Sequence, residues 1–169
     1  LKPFVVSLLV LAIWWAAVFT GQACLAGKQP GIYYVDRHGN LVIEYCFLAN
    51  ERDLYFALAQ AVVQPPSSLD LHTAAPPGTR LYGAWLDQGI LYVDYSKELF
   101  SYGGGTFREQ RLLAQITYTL TQFAEVRYVQ VLVEGRKVLA PEGSPTDAPL
   151  KRGDFLQLFK EGKGWPEKE

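Results

Sequence analysis

The chain has no methionine, two cysteines and two histidines in 169 residues, and its formal net charge is −1. Each shortage closes a class of explanation. Two cysteines are too few for a scaffold built on disulfides. No H-x-x-x-H or C-x-x-C occurs, and His38 and His72 stand apart in loop-like stretches, so no metal centre is expected. Near-neutral charge without a basic face argues against nucleic-acid binding, and it gives no polybasic signal for a membrane surface. With no Met at its head, Leu1 reads as a start at a non-ATG codon, since the residues after it look like an intact export signal.

What the chain does have is apolar and aromatic matter, 49% and 14% of the residues. Part of it lies at the front. Pro3 to Gly27 carries no charge, its densest part runs from Phe4 to Phe19, and Lys2 precedes it on the side that stays in the cytoplasm. Three readings compete. One is a cleaved secretory signal with Gly21-Gln22-Ala23 as the small-x-small site. Another is an uncleaved single-pass anchor. The third is a lipoprotein signal in which Cys24 is acylated; Ala23 suits it, whereas Gly21 stands where an aliphatic residue is usual. All three place the rest of the chain outside the cytoplasm. The expected organisation is a signal or anchor over residues 1–27, one α/β domain over 28–155 and a charged tail over 156–169.

Along the domain, GIYYVD and LVIEYCF flank Arg37-His38-Gly39-Asn40 and read as a hairpin. Cys46 in the second run reads as a small buried side chain, with a disulfide to Cys24 as the alternative. Asn50 is the expected N-cap of a helix with Leu54, Leu58, Ala61 and Val62 on its apolar face, stopped by Pro65-Pro66. Pro65 to Gly78 reads as a long loop pinned by Leu69 and Leu71. A second hairpin comes next, Arg80 to Tyr95, turning at Asp87-Gln88-Gly89. After it, SYGGGTFREQRLLAQITYTLTQF reads as a glycine hinge and one amphipathic helix. Thr106 and Glu109 have capping-box spacing, Leu112, Leu113, Ile116, Leu120 and Phe123 form the apolar stripe, and Arg108, Gln115, Thr119 and Gln122 fall elsewhere. Arg127 to Val133 reads as the last strand, and Ala140 to Gly153 as a Pro- and Gly-rich loop. The order β-β-α-β-β-α-β predicts an α/β (α+β) fold, with two helices on one face of a small antiparallel or mixed sheet.

Chemistry is sparse. Gly103-Gly104-Gly105 before a helix has the look of a phosphate cradle, but the Lys of a P-loop is missing and a hinge is the simpler reading; a bound anion near Arg108 and Arg111 is the alternative. Ser96 and Lys97 are adjacent rather than spaced as S-x-x-K. Asp87, Asp94, Glu98 and Glu109 do not pair at a spacing for acid–base work, and Asp94 reads as a loop-stabilising acceptor. No catalytic residue, metal ligand or cofactor is expected. Tyr82, Trp85, Tyr92, Tyr95 and Tyr102 are the more interesting set. Some belong in the core; those sharing an exposed face of the second hairpin would form a platform for sugar rings or a protein partner.

Three stretches carry a family resemblance: PPGTRLYGAWLDQGILYVDYSKEL (Pro76 to Leu99), EQRLLAQITYTLTQFAEVRYVQVLVEG (Glu109 to Gly135) and PLKRGDF (Pro149 to Phe155). From Gly31 to Gly153 the chain resembles the GerMN domain of sporulation and spore germination proteins. The resemblance implies a small α/β fold of the ring-building-motif kind, related modules of which occur in oligomeric assemblies of secretion and sporulation machinery. It implies no known catalytic activity and no cofactor, and it makes Ser96, Thr119, Thr121, Gln130 and Gly135 fold determinants. The expected function is that of a cell-envelope interaction or assembly domain, binding envelope proteins or its own copies and tied to the membrane by the N-terminal segment, with no nucleic acid as partner. The expected surface comprises Trp85, Tyr92, Arg108, Arg111, Gln115 and Gln122. The alternative is a module for cell-wall glycan (peptidoglycan) or a small ligand, using the Tyr and Trp of the second hairpin.

Overall fold

The computed structural model describes residues 29–46, 53–103 and 105–159. The signal or anchor, the acylation or disulfide of Cys24, the Asn50 cap and the last ten residues lie outside these. Within them Cys46 is a half-buried free thiol, its Sγ 3.7 Å from the Pro30 carbonyl oxygen.

Both hairpins form, and each founds its own sheet. Strands β1 (Gly31–Asp36) and β2 (Leu41–Tyr45) pair antiparallel. Their turn is held by Asp36, whose carboxylate accepts from the His38 and Asn40 backbone N–H groups and from Asn40 Nδ2. Burial works against ionisation of this carboxyl, but those bonds outweigh it and hold its pKa below the usual range. Helix α1 (Leu54–Ala61) is capped by Asp53, which accepts from Phe56 N–H at 3.0 Å. The stretch expected to be all loop contains a two-residue strand, β3 (Leu71–His72), paired with the end of β1. Leu71 packs on the core as expected. Leu69 does not pin anything: it rides in the turn closed by Leu71 N–H and the Ser68 carbonyl and is 99% exposed.

The second sheet has the order β4 (Leu81–Asp87), β5 (Ile90–Tyr95), β6 (Tyr128–Val133). β4 and β5 are joined by a two-residue turn with positive φ at Gln88 and Gly89. β6 runs parallel to β5, which requires a crossover, and α2 (Gly105–Leu120) supplies it. The class and the helix–strand alternation are as the sequence predicts; the single sheet is instead two sheets of three strands.

The reason lies on α2. Its apolar row, Leu112, Leu113, Ile116 and Leu120, is fully buried in one core with Leu91, Val93, Val129 and Val131. Of the polar residues expected on an open face, Gln115 and Thr119 are fully buried, and Gln122, just past the end of the helix, is half-buried. In an antiparallel pair the N–H groups of one strand point alternately to its two edges. The edge of β1 away from β2 carries the Gly31 and Tyr33 amides. Gly31 N–H donates to Gln122 Oε1 (3.0 Å), Gln122 Nε2 donates back to the Gly31 carbonyl (2.9 Å), and Tyr33 N–H donates to Thr119 Oγ1 (3.0 Å). Beyond Tyr33 the β3 strand takes over at Val35, and Gln115 Oε1 accepts from Ala74 N–H at 2.8 Å. Thr119 of α2 and Gln122 just beyond it thus take up backbone groups on the edge of β1 where a further strand could otherwise pair. Thr119→Val keeps the shape and removes the hydrogen bond that Thr119 Oγ1 accepts from the buried Tyr33 N–H. It should cost about 1–3 kcal/mol, read as a lower denaturant midpoint with an unchanged slope.

The capping box does not form. Glu109 is fully buried and its carboxylate turns to the loop after β6, accepting from Glu142 N–H (2.8 Å), Ser144 N–H (2.9 Å) and the Tyr102 hydroxyl. At its other end α2 is held by Arg152, in the 3-10 segment Arg152–Phe159. Its Nε donates to Thr121 Oγ1 and its second terminal nitrogen to the Tyr118 carbonyl, with the guanidinium 5.0 Å from the Tyr118 ring centroid. A cation at the C-terminal carbonyls of a helix is favourable both as a donor and against the helix dipole.

Candidate functional site

Two exposed places collect the candidate residues. The first is the second hairpin. Trp85 and Tyr92 face each other across β4 and β5, with rings stacked at 5.4 Å between centroids and 4° between planes. Trp85 is 47% exposed and Tyr82, beside a register shift in β4, is 51% exposed. The other two aromatic candidates are structural. Tyr95 is fully buried and its hydroxyl donates to the Ala59 carbonyl of α1 at 2.8 Å; burial raises its pKa far above the phenol range. Tyr102 spends its hydroxyl on Glu109. β4 ends its sheet, and among the described residues no further strand pairs with its outer edge. The strand has neither Pro nor Lys, the residues that usually blunt such an edge.

The second place is a cavity of about 470 Å³ where the turn after β1, strand β3 and the first turns of α2 meet. Arg37, His38, His72, Phe107, Arg108 and Arg111 line it, with Asp36. Arg111 is fixed from two sides: its Nε donates to the Gly39 carbonyl at 2.6 Å, and its guanidinium carbon sits 3.1 Å from the Phe107 ring centroid. Gly39, at φ +83°, lies so close under this guanidinium that a side chain there would collide with it.

Of the six residues expected to share a surface, the structure therefore separates three groups. Trp85 and Tyr92 lie together on the second sheet. Arg108 and Arg111 lie together in the cavity. Gln115 is fully buried and Gln122 is half-buried, with its amide spent on β1 and the α2 backbone, so neither offers an open polar face. His38 and His72, read from the sequence as separate loop residues, enter one cavity because Val35 pairs with His72. Their only legible signal was that they are the chain's sole histidines.

Other chemical candidates resolve into structure. Ser96 is fully buried and its Oγ accepts from Arg80 N–H. Asp94 accepts from Gly135 N–H, as its place beside a turn implies. Gln130 donates to the Thr146 carbonyl and Thr121 to the Thr117 carbonyl. Each position that the resemblance made a fold determinant thus makes a hydrogen bond that ties two segments or holds a helix turn. Among the described residues no group of three His, Cys, Asp or Glu can hold a metal ion, and no helix is long and apolar enough to cross a membrane.

Known proteins share this architecture. The Germane family model, described as "Sporulation and spore germination", matches residues 31–139. The tandem GerMN domains of the sporulation protein GerM from Bacillus subtilis superpose with a TM-score of 0.66 at 22% identity, covering 76% of this chain and 47% of that one. The first GerMN domain of the same protein gives the same score and identity and is covered over 100% of its length. A putative lipoprotein from Clostridium perfringens gives 0.57 at 22% identity, over 76% of this chain and 92% of that one. Comparison with curated protein sequences gave no match.

Proposed function

The chain belongs to the Germane family, and we propose on that premise that it is a non-enzymatic assembly domain of the cell envelope, acting outside the cytoplasm through protein–protein contacts. The observation that carries this reading is the outer edge of β4. It is the seven-residue terminal strand of its sheet, no further strand pairs with it among the described residues, it has no Pro and no Lys, and it displays Tyr82 and Trp85. Strand addition supplies affinity through main-chain hydrogen bonds and specificity through the side chains beside them. The partner in this reading is a second copy of the chain or another envelope protein. The family's description names a process and no reaction, and the buried Ser96 and Glu109 are committed to their neighbours, which fits a role in contact rather than chemistry.

Sedimentation of the 169-residue chain in mild detergent tests this. Association should rise with concentration and weaken at least about tenfold in Trp85→Ala or Tyr82→Lys, since large aromatic residues dominate interface energies. A chain that stays monomeric across the range and captures no envelope protein on crosslinking rules the reading out.

The stacked Trp85–Tyr92 pair favours a second reading, a binding face for cell-wall glycan, because an exposed indole next to a second ring offers a flat apolar surface to a sugar. Co-sedimentation with peptidoglycan, lost in Trp85→Ala, would support it; no retention of the native chain would reject it.

A further inference from the structure

The cavity between the β1 turn, β3 and α2 is independent of the β4 edge and has an electrostatic character that neither reading uses. Three arginines line it against one carboxylate, Asp36. That carboxylate is taken up by its own turn through three hydrogen bonds. Among the described residues the one ion pair is Arg37 with Asp70, at 2.7 Å and on the exposed rim. Arg108 and Arg111 therefore have no carboxylate of the described residues within ion-pair distance. Among the described residues the Arg108 guanidinium makes one hydrogen bond, to the Gly103 carbonyl at 3.2 Å, and its other N–H groups have no acceptor there. Arg111 is held in place by Gly39 and Phe107 rather than by an anion. Burial pushes its pKa down, and the nearby charge of Asp36 only partly compensates. A half-buried guanidinium with no carboxylate of the described residues within ion-pair distance is open to an anion from outside.

We propose that this cavity binds a phosphate group carried by a soluble small molecule. Two guanidinium forks and two imidazoles converging on one space suit an anion with several oxygens, since each fork can donate to a different edge of a tetrahedral phosphate. The cavity, about 470 Å³, is larger than a phosphate alone requires and lies within the range of small-molecule sites. Phe107, 61% exposed beneath Arg111, offers an apolar wall to the organic part of the ligand.

The test is a titration of the ¹⁵N-labelled 169-residue chain in mild detergent with sodium phosphate and, separately, glycerol 1-phosphate, against sodium chloride at constant ionic strength. Saturating shifts are expected at the amides of residues 37–39, 72–74 and 107–111, with tighter binding of the organic phosphate. Arg108→Gln should weaken the affinity about tenfold or more, the loss of a charge-assisted contact. Arg136→Gln, which removes the same charge from an exposed turn outside the cavity, should leave it unchanged. Shifts that are linear and equal in phosphate and chloride overturn the proposal, as does equal weakening by both variants. Binding to phosphatidylglycerol vesicles without binding to either soluble phosphate also overturns it, in favour of a membrane contact. The native titration decides the matter even if the Arg108 variant does not fold.

Discussion

Glu109→Leu should be among the most damaging single changes in this protein, lowering the unfolding free energy by about 3 kcal/mol or more, because it strands several buried donors at once. The carboxylate sits at the start of α2 with no exposed surface, and it gathers the Glu142 and Ser144 amides and the Tyr102 hydroxyl. Loss of those contacts frees the loop after β6 from the helix. Glu109→Gln is the sharper probe. It keeps one acceptor but turns an NH₂ group towards other donors, so it should still cost about 1–3 kcal/mol. Its pH dependence separates charge from shape. Burial alone would raise the pKa of Glu109, but the hydrogen bonds from Ser144, Tyr102 and the Glu142 amide prevail and hold it below the ordinary 4.5. A carboxyl with a lowered folded-state pKa stabilises the fold fully above its unfolded pKa, and that stabilisation is lost as pH falls through the folded value. The gap between native protein and Glu109→Gln should therefore be widest at neutral pH and should close below about pH 4.5. A gap that is constant from about pH 7 to about pH 3 in denaturant titrations would show that the charge contributes nothing.

Gln115→Leu should have a comparable effect, about 2–4 kcal/mol, for a related reason. One amide joins three pieces of chain: Oε1 accepts from Ala74 N–H, and Nε2 donates to the Val62 carbonyl at 2.8 Å and to Thr73 Oγ1 at 3.1 Å. Leucine fills a similar volume and satisfies none of them. Gln115→Glu tells geometry from polarity. Its carboxylate still accepts from Ala74, but it faces the Val62 carbonyl with no proton to donate. That variant should be destabilised at neutral pH and recover partly in acid, where the protonated group can donate again. Thr73 and Ala74 also line the arginine cavity, so loosening this junction should broaden the amide signals of residues 72–74 before the core melts.

Much of the fold was legible in the chain because it rests on local rules. The Asp87-Gln88-Gly89 turn follows from the backbone freedom of glycine, and the alternation of Leu91, Val93 and Tyr95 from the two-residue period of a strand. The apolar row of α2 follows from helical spacing. The family resemblance agreed with the α/β class already read from the element order, and the Arg of the PLKRGDF tail proves to be the cation that closes α2. Three readings failed where a residue had two possible settings. Glu109 stands three residues after Thr106, as a capping box requires, yet a loop more than thirty residues on supplies better donors. Gln115, Thr119 and Gln122 look like a solvated face until a strand edge with unpaired amides is set beside them. Leu69 looks like an anchor until the turn that carries it is seen.

By itself, the sequence determined the two hairpins, the two helices, the last strand and the lack of any metal-binding motif, because each depends on spacing within a short stretch. Only the tertiary structure decided how the sheets divide, which polar residues are buried, and that Arg108 and Arg111 share a cavity with both histidines. Those outcomes depend on backbone hydrogen-bonding groups and charges far apart in the chain. Each such group takes whichever partner the packing brings within about 3 Å, and no local pattern records that choice.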